Sequence, residues 1–428
     1  MKVRLGIDVL VAARQRIEYI FDHFDRIYVS FSGGKDSTVM LHLVMDEAIK
    51  RNKTVGVLFI DLEGQYKLTI DHIMKMYDLY KSHSKWYWIC LPIALRNAVS
   101  VYQPKWQCWN PDKKDIWVRR PPGIAITDEK YFSFFRRDME FEEFTPEFGR
   151  WYSGGEKTAC FVGIRADESL NRFRTIKNEK KQTFGNKMWT TKMWNMPVWN
   201  IYPLYDWKTQ DIWIYNGKYG KPYNKLYDLM DKAGLSIHQQ RICQPYGDDQ
   251  RKGLWLFHII EPETWSKIVA RVNGANSGSN FVQYNGNASG QIKITKPEGH
   301  TWKSFSMLLL ESMPEKMKEH YKNKIHVFLR WYEERGYRNG IPDEVDPKDE
   351  ASRKKPSWRR IAKMLLRNDY WAKGLSFSQT KDGYFYKRYM ERMKKDRKKR
   401  SFESKLKCAG GEKFLITKEG EEWLKKNG

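Results

Sequence analysis

The chain has 428 residues, which is long enough for two or more domains that each bury a hydrophobic core. It carries 77 Lys and Arg against 52 Asp and Glu, and the net charge of +25 favours an anionic partner such as a nucleotide, a nucleic acid or an acidic protein. No apolar run is long enough to span a bilayer, so the composition excludes an integral membrane protein and predicts a cytoplasmic protein without a membrane partner.

The cysteines and histidines do not follow a metal-binding pattern. No two of the five cysteines form a CxxC pair, and the nine histidines show no HExxH spacing. We therefore expect reduced thiols, no zinc and no iron–sulfur cluster. His42 is predicted to be an ordinary surface or packing residue.

The first elements in chain order indicate an α/β fold. Residues 1–27 are typical of an amphipathic helix, and "RIYVSF" and "TVGVLFID" are typical of buried strands on either side of a helix at about 36–51. A βαβ unit of this kind predicts a mostly parallel, doubly wound sheet that binds its ligand at the carboxyl ends of its strands.

The junction between the first strand and its helix, "SFSGGKDSTV" at residues 30–39, is predicted to bind phosphate. Gly33 and Gly34 permit a tight turn and a close approach of backbone N–H groups, the helix N-terminus favours an anion, and Lys35 adds a positive charge. The spacing is not that of a Walker loop. The alternative is a Gly-Gly turn followed by a helix cap. The predicted nucleotide-binding residues here are Ser30, Ser32, Gly33, Gly34, Lys35, Asp36 and Ser37.

Two later strand ends carry further candidate residues. Asp61 and Glu63 follow "VLFI" and could orient a ribose, hold Mg²⁺ or begin a turn; Asp36 and Asp61 are the predicted Mg²⁺ ligands. "CFVGI", within residues 158–172, is followed by a cluster in which Arg165, Arg172 and Arg174 could clamp an anion, with a solvated charged loop as the alternative.

Several motifs resemble a known family. "SGGKDS" resembles the PP-loop of the ATP pyrophosphatase superfamily, and four later blocks resemble, in order, those of phosphoadenylylsulfate (PAPS) reductases. These blocks are Gly163–Arg172, residues 202–215, residues 221–236 and residues 241–255. The resemblance covers about residues 25–255. It implies an adenine nucleotide alpha-hydrolase-like fold that binds ATP or PAPS with Mg²⁺, and it makes Lys35 and Asp36 the candidate catalytic residues, with Asp61, Arg165 and Arg172 in the nucleotide site.

The remainder resembles the C-terminal extension of a subfamily that includes co-activators of prophage gene expression, which implies a ParB-like partner. We predict three parts: a nucleotide-binding domain at 1–255, a family-specific domain at 256–345 and a mainly helical, basic segment at 346–428. A loop is expected at 273–290 and an acidic linker at 341–350.

The last 78 residues, 351–428, are strongly basic. They hold 24 Lys and Arg against 9 Asp and Glu, a net charge of +15. This segment is a candidate for binding DNA or RNA, with aromatic residues placed to stack on bases; the alternative is a solvated basic helix. The aromatic residues are Trp358, Tyr384, Phe385 and Tyr386.

The sequence departs from the reductases at the thiol on which their chemistry depends. Cys408 lacks the Gly-Leu-His that follows the reductase cysteine, and Cys243 stands where cluster-bearing relatives carry "CxPC", but Tyr246 replaces its partner. Two interpretations stay open: an enzyme that cleaves or transfers at the α-phosphate of ATP, and a nucleotide-binding co-activator without catalysis. PAPS or APS reduction or sulfotransfer is a lesser alternative.

Overall fold

The computed structural model describes residues 6–100, 103–179, 181–193, 195–247, 253–275, 295–352 and 355–376. Two compact units divide the chain. The first comprises Met1–Arg96 and Lys105–Ala275, and the second comprises Asn97–Pro104 and Asn276–Gly428.

The first unit is an α/β domain. Its strands are β1 Arg26–Ser30, β2 Val55–Ile60, β3 Ser84–Ile89, β4 Ala94–Arg96, β5 Lys105–Gln107, β6 Thr158–Val162, β7 Thr190–Lys192 and β8 Val198–Ile201. Its α-helices are α1 Val9–His23, α2 Lys35–Lys50, α3 Lys67–Tyr80, α4 Phe141–Ser153, α5 Leu170–Lys177, α6 Thr209–Tyr219, α7 Leu226–Lys232, α8 Trp255–Ile260 and α9 Pro262–Arg271. A 3₁₀-helix spans Pro111–Ile116.

Six strands form the central sheet in the order β3-β2-β1-β6-β8-β7, and β4 and β5 pair separately. Every pair in the central sheet is parallel except β7 with β8. The strand order reverses between β1 and β6, which pair in register from Arg26 opposite Thr158 to Ser30 opposite Val162. A crevice at the carboxyl ends of these two strands is therefore the expected ligand site of such a sheet.

The local sequence explains the elements around that crevice. β1 and β2 are buried almost throughout, as apolar strands inside a parallel sheet must be. The helix predicted at 36–51 runs from Lys35 to Lys50 and buries most of its residues. Within the segment 1–27, predicted as an amphipathic helix, the structure has a helix at Val9–His23, and the Asp8 carboxylate caps its start by accepting from the Leu10 N–H at 2.8 Å.

The second unit is helical where it is described. Its helices are α10 Trp302–Glu311, α11 Glu315–Glu333, α12 Pro347–Ser352 and α13 Trp358–Leu366, followed by a 3₁₀ turn at Lys373–Leu375. Side chains from α10, α11, α13 and the last turn form one hydrophobic core, which includes Trp302, Phe328 and Trp358.

The structure of this unit differs from the expected acidic linker at 341–350. Asp343 caps α10 by accepting from the N–H groups of Trp302 and Lys303, both at 2.9 Å, and Glu350 is paired with Lys363. Trp358 is 2% exposed, so it packs in the core and does not offer its ring to a base. The predicted loop from residue 276 onward, and the basic segment from 377 onward with its three aromatic residues, lie outside the described residues. Among the residues that are described, no helix is both long and apolar enough to cross a membrane.

Candidate functional site

The turn after β1 brings backbone N–H groups to the crevice. Gly33 adopts φ +72°, and a Cβ at this position would lie 2.9 Å from Ile73, so only glycine fits without strain. Gly34 is the N-cap of α2 and provides no side-chain cap. The start of α2 therefore keeps the positive end of its dipole toward the crevice.

Hydroxyl groups hold this turn in shape. The Ser37 hydroxyl donates to the Gly34 carbonyl at 3.1 Å and lies 2.9 Å from the Ser32 hydroxyl. The Ser32 N–H also donates to the Ser37 oxygen, at 3.3 Å. Both serines thus order the loop that the sequence singled out, while Ser30 ends β1 just before it.

The loop after β6 crosses the start of α2. A Cβ at Gly163 would lie 3.1 Å from the Ser37 nitrogen, so glycine lets the two backbones approach. Arg165 follows, 2% exposed, and its Nε donates to Asp36 Oδ1 at 2.5 Å. Its buried Nη1 has no hydrogen-bond partner among the described residues and lies 3.9 Å from an Asp167 carboxylate oxygen.

Lys35 is also buried beside this loop. Its ammonium donates to the Gln240 carbonyl at 3.1 Å and lies 3.8 Å from Asp36 Oδ2. The same ammonium sits 5.2 Å from the centre of the Tyr227 ring. Burial lowers the pKa of Lys35, and the neighbouring Asp36 carboxylate opposes that shift.

Sequence reasoning missed three residues that support the loop. The Asn224 side chain donates to the Gly33 carbonyl at 3.2 Å, and the Tyr227 hydroxyl accepts from the Lys35 N–H at 3.0 Å. Gln240 supplies the carbonyl that holds the Lys35 ammonium. The motif blocks at residues 221–236 and 241–255 contain or adjoin these three residues. The sequence therefore indicated that this region matters, but it offered no spacing rule that gives each side chain a role.

The predicted arginine clamp is only partly assembled. Arg165 reaches Asp36, whereas Arg172 pairs with Glu168 one turn away and its side chain is 39% exposed. Burial lowers the pKa of Lys35, and the Glu168 carboxylate, like that of Asp36, opposes this shift. Arg174 lies on the exposed part of α5. The structure thus brings together Lys35, Asp36 and Arg165, with Arg172 coupled to them through Glu168.

Asp61 is fully buried at the end of β2 and already has several donors. Its carboxylate accepts from the Trp88 indole at 2.8 Å, from the Glu63 N–H at 3.0 Å and from Arg119. These contacts favour a structural role, because a carboxylate paired with a guanidinium is a poor metal ligand. No group of three or more His, Cys, Asp or Glu side chains suited to a metal ion occurs among the residues described.

Glu63 belongs to a second buried ion pair. The Arg271 guanidinium donates to its two carboxylate oxygens at 2.6 and 3.0 Å, and the N–H groups of Trp109 and Val118 complete the set. Glu63 itself has φ +63°. This network ties the end of β2 to α9.

The four described cysteines are free thiols. Three of them are buried, and burial raises the pKa of each; that of Cys160 rises to about 12. Cys243 is half-buried. Tyr246, at the position where cluster-bearing relatives have a cysteine, packs against Trp106 and donates to the Ile268 carbonyl at 2.9 Å. Cys408 lies outside the described residues.

Comparison with known proteins gives two family matches. Residues 26–88 and 128–232 match the phosphoadenosine phosphosulfate reductase domain, and residues 234–340 match a domain of unknown function, DUF3440. The second match begins before the predicted domain boundary at 255.

Three relatives illustrate the range of similarity. The uncharacterized protein YbdN of Escherichia coli K12 is 45% identical over 395 residues, covering 92% of this chain and 96% of its own. Adenosine 5'-phosphosulfate reductase of Halalkalibacterium halodurans is 23% identical over 233 residues, covering 54% of this chain and 80% of its own. The solved PAPS reductase from Candida auris, a phosphate complex, covers 54% of this chain and 94% of its own, with 16% identity and a TM-score of 0.27.

The chain therefore belongs to the same family as YbdN, and parts of its first unit match the phosphoadenosine phosphosulfate reductase domain. The ParB-like partner and the prophage role stay predictions.

Proposed function

We propose that the protein binds ATP, or a related adenosine nucleotide such as PAPS, in the crevice between the loops after β1 and β6. The observation that carries this proposal is the buried Arg165, whose Nη1 lies without a hydrogen-bond partner among the described residues while its Nε contacts Asp36 at the start of α2. A buried guanidinium beside an uncapped helix N-terminus is a site for an oxyanion.

The proposed reaction takes place at the α-phosphorus. An acceptor oxygen forms a bond to that phosphorus, the bond to the bridging oxygen of the β-phosphate breaks, and pyrophosphate leaves. Lys35 and Arg165 would stabilise the negative charge on the phosphate oxygens, and the N–H groups at the start of α2 would orient them. The Lys35 ammonium donates to the Gln240 carbonyl and lies 3.8 Å from an Asp36 oxygen. A bound phosphate would replace the Gln240 carbonyl as the hydrogen-bond partner of this ammonium.

Mg²⁺ is implied by ATP, and the two proposed ligands differ in how well they fit. Asp61 does not fit, because Arg119, Trp88 and the Glu63 N–H engage its carboxylate. Asp36 stands at the loop with a 15% exposed side chain, but Arg165 engages its Oδ1 and the Lys35 ammonium lies 3.8 Å from its Oδ2, so it could contact a metal only if the bound nucleotide displaced one of these partners. A bound Mg²⁺ would neutralise phosphate charge.

One observation favours the second interpretation, a nucleotide-binding regulator without turnover. The Asp36 carboxylate is engaged by Arg165, and a residue held in this way is not available as a base. Reduction through a thiol has less support, because Cys408 lacks the Gly-Leu-His of the reductases and Tyr246 replaces the cluster partner of Cys243. The other three cysteines are buried.

Product analysis decides between these functions. Purified full-length protein is incubated with ATP labelled at the α-phosphate and with Mg²⁺, and the products are separated by chromatography. AMP or an adenylylated acceptor together with pyrophosphate supports the enzyme, and binding without products supports the regulator. Release of ADP and phosphate would contradict the proposed cleavage site. Lys50→Ala, at the exposed far end of α2, is the control for loss of activity in Lys35→Ala.

A further inference from the structure

Helix α5 presents an exposed stripe to solvent. Only Ile176 of its eight residues is buried. Four exposed residues recur at the spacing i, i+3, i+4, i+7 and so lie on one side of the helix. We call this stripe the α5 face; it consists of Leu170, Phe173, Arg174 and Lys177.

The α5 face combines two apolar side chains with two cationic ones. Leu170 is 61% exposed and Phe173 is 43% exposed, and the Lys177 ammonium lies 6.0 Å from the centre of the Phe173 ring. A single exposed apolar residue is ordinary, but an exposed ring and a leucine beside two cations form a surface that suits a partner with flat apolar groups and negative charge.

The same segment carries more positive charge beyond the helix. Residues 170–192 hold seven Lys and Arg against one Glu, a net charge of +6. Three lysines beyond the helix lie over aromatic rings: Lys187 is 5.3 Å from the Tyr19 ring centre, Lys192 is 5.1 Å from that of Trp199 and Lys181 is 5.9 Å from that of Tyr202. The chain's own residues 377–428 have a net charge of +8, so electrostatic repulsion disfavours them as the occupant.

Helix α5 begins directly after the loop that carries Arg165. Ser169 caps α5 by accepting from the Arg172 N–H at 3.2 Å, and it is four residues beyond Arg165 in the same loop. The α5 face therefore follows the candidate nucleotide site in the chain.

We propose that the α5 face binds single-stranded nucleic acid. A base stacks on Phe173 beside Leu170, and backbone phosphates contact Arg174 and Lys177. Stacking on an aromatic ring together with phosphate contacts is the combination by which proteins hold single strands without reading their sequence. The inference goes beyond the proposed nucleotide function, and nucleic acid binding is measured without nucleotide.

Binding is measured by fluorescence anisotropy with the full-length protein at several salt concentrations. The probes are a labelled oligouridylate and a labelled oligodeoxythymidylate, which distinguish RNA from DNA. Phe173→Ala should weaken binding about tenfold, because stacking contributes on the order of 1–3 kcal/mol per base. Arg174→Glu with Lys177→Glu should reduce the slope of log affinity against log salt by about 1.4, because two phosphate contacts are lost at about 0.7 each on a single strand.

Helix α6 offers matched controls in the same unit. Ile214 is 62% exposed, and Lys218 is exposed one turn later on the same helix. Ile214→Ala and Lys218→Glu therefore remove an exposed apolar residue and an exposed cation from a surface other than the α5 face. These controls should leave affinity within about twofold of the unmodified protein. Equal losses in the control and α5 variants would overturn the proposal, as would α5 variants that bind normally.

Photo-cross-linking identifies the contact directly and separates it from the basic C-terminal segment. An oligonucleotide containing 5-iodouracil is irradiated with the protein, and cross-linked peptides are identified by mass spectrometry. We expect a cross-link to the peptide that contains Phe173. Cross-links confined to residues 351–428 would overturn the proposal. So would poly-glutamate, a polyanion without bases, if it bound the protein as tightly as the oligonucleotide and displaced it. If ATP fails to bind while the Phe173 cross-link forms, the nucleotide function fails and this inference stands.

Discussion

Arg165 and Asp36 form the ion pair that joins the loop after β6 to the start of α2. The guanidinium is almost fully buried, so its positive charge requires compensation, and Asp36 supplies only one hydrogen-bonding partner for it. The Arg165–Asp36 pair therefore has two roles. It fixes the two loops to each other, and it leaves a buried N–H group for an incoming phosphate.

Replacing Arg165 by Gln tests this arrangement. Arg165→Glu is a poorer test, because it would bury a second carboxylate beside Asp36 and endanger folding. Arg165→Gln should weaken ATP binding by about 10- to 100-fold, the loss expected for a charge-assisted hydrogen bond. Calorimetric titration measures the affinity, and circular dichroism checks folding. Arg26→Gln removes an arginine from an exposed pair with Glu156 and should bind normally. Equal affinity in the Arg165 variant would remove this residue from the site.

At the scale of elements, α2 and α3 pack through two buried histidines. His42 lies between the Tyr80 hydroxyl at 2.6 Å and the Pro222 carbonyl at 2.8 Å, and His72 contacts the Thr38 hydroxyl at 3.0 Å. Burial lowers the pKa of His42 to about 4 and that of His72 to about 3. Both rings are therefore neutral in the folded protein at neutral pH.

These shifts predict acid sensitivity. Each folded-state pKa lies below the value of about 6.5 for an unfolded histidine, so the stabilisation is fully present above pH 6.5 and is lost as the pH falls toward 4. The free energy of unfolding should decrease by about 2 kcal/mol per histidine between pH 6.5 and 5. Urea denaturation at several pH values measures it. His42→Gln should flatten the dependence and His238→Gln, at an exposed position, should not. Identical pH profiles for all three proteins would refute the assignment.

The Glu63–Arg271 pair links β2 to α9. Because both side chains are buried, Arg271→Met leaves an unpaired carboxylate and should lower the free energy of unfolding by about 3–5 kcal/mol. The double variant with Glu63→Gln should recover part of that loss. Chemical denaturation provides both values, and Arg137→Met, in an exposed pair with Glu129, should cost about 0–1 kcal/mol. A loss of that small size for Arg271→Met would show that the buried pair does not hold these elements together.

At the scale of the whole molecule, the basic C-terminal segment cannot be tested by deleting residues 351–428. That deletion would remove Trp358, Ile361 and Leu365, which belong to the core of the second unit. Charge substitution avoids this problem. Replacing six basic residues by Gln should reduce the salt dependence of DNA or RNA binding without changing ATP affinity, because phosphate contacts release counterions. These residues are Lys394, Lys395, Arg397, Lys398, Lys399 and Arg400.

Anisotropy titrations across salt concentrations measure the change. The matched control replaces exposed lysines of the first unit, such as Lys50 and Lys81. If the substituted protein binds nucleic acid with an unaltered salt slope, the segment is a solvated or protein-binding surface.

The sequence was most informative where chemistry and periodicity agreed. The strand, glycine turn and helix at residues 26–50 were predicted closely, because apolar runs and glycines constrain the backbone locally. The contacts of Asn224, Tyr227 and Gln240 with the loop were not predicted, since they join residues about 190–205 positions apart. The side-chain donors to Asp61, Trp88 and Arg119, were also missed; they lie 27 and 58 positions further along the chain. The acidic composition of residues 341–350 suggested a linker. In the folded unit, however, Asp343 accepts from the Trp302 N–H and Glu350 pairs with Lys363, and these contacts join residues that are distant in the sequence.

The central claim is that the turn at residues 32–37 binds an adenosine nucleotide, and calorimetric titration of ATP with Mg²⁺ tests it most directly. The unmodified protein should bind, whereas Lys35→Ala and Gly34→Val should lose detectable binding because they remove a charge and obstruct the backbone. A Cβ at Gly34 meets its neighbours at an ordinary 3.5 Å, so the valine variant should fold, and Gly217→Val and Lys50→Ala are the matched controls. Unchanged ATP affinity in both folded loop variants, or no binding by the unmodified protein to either ATP or PAPS, would contradict the account.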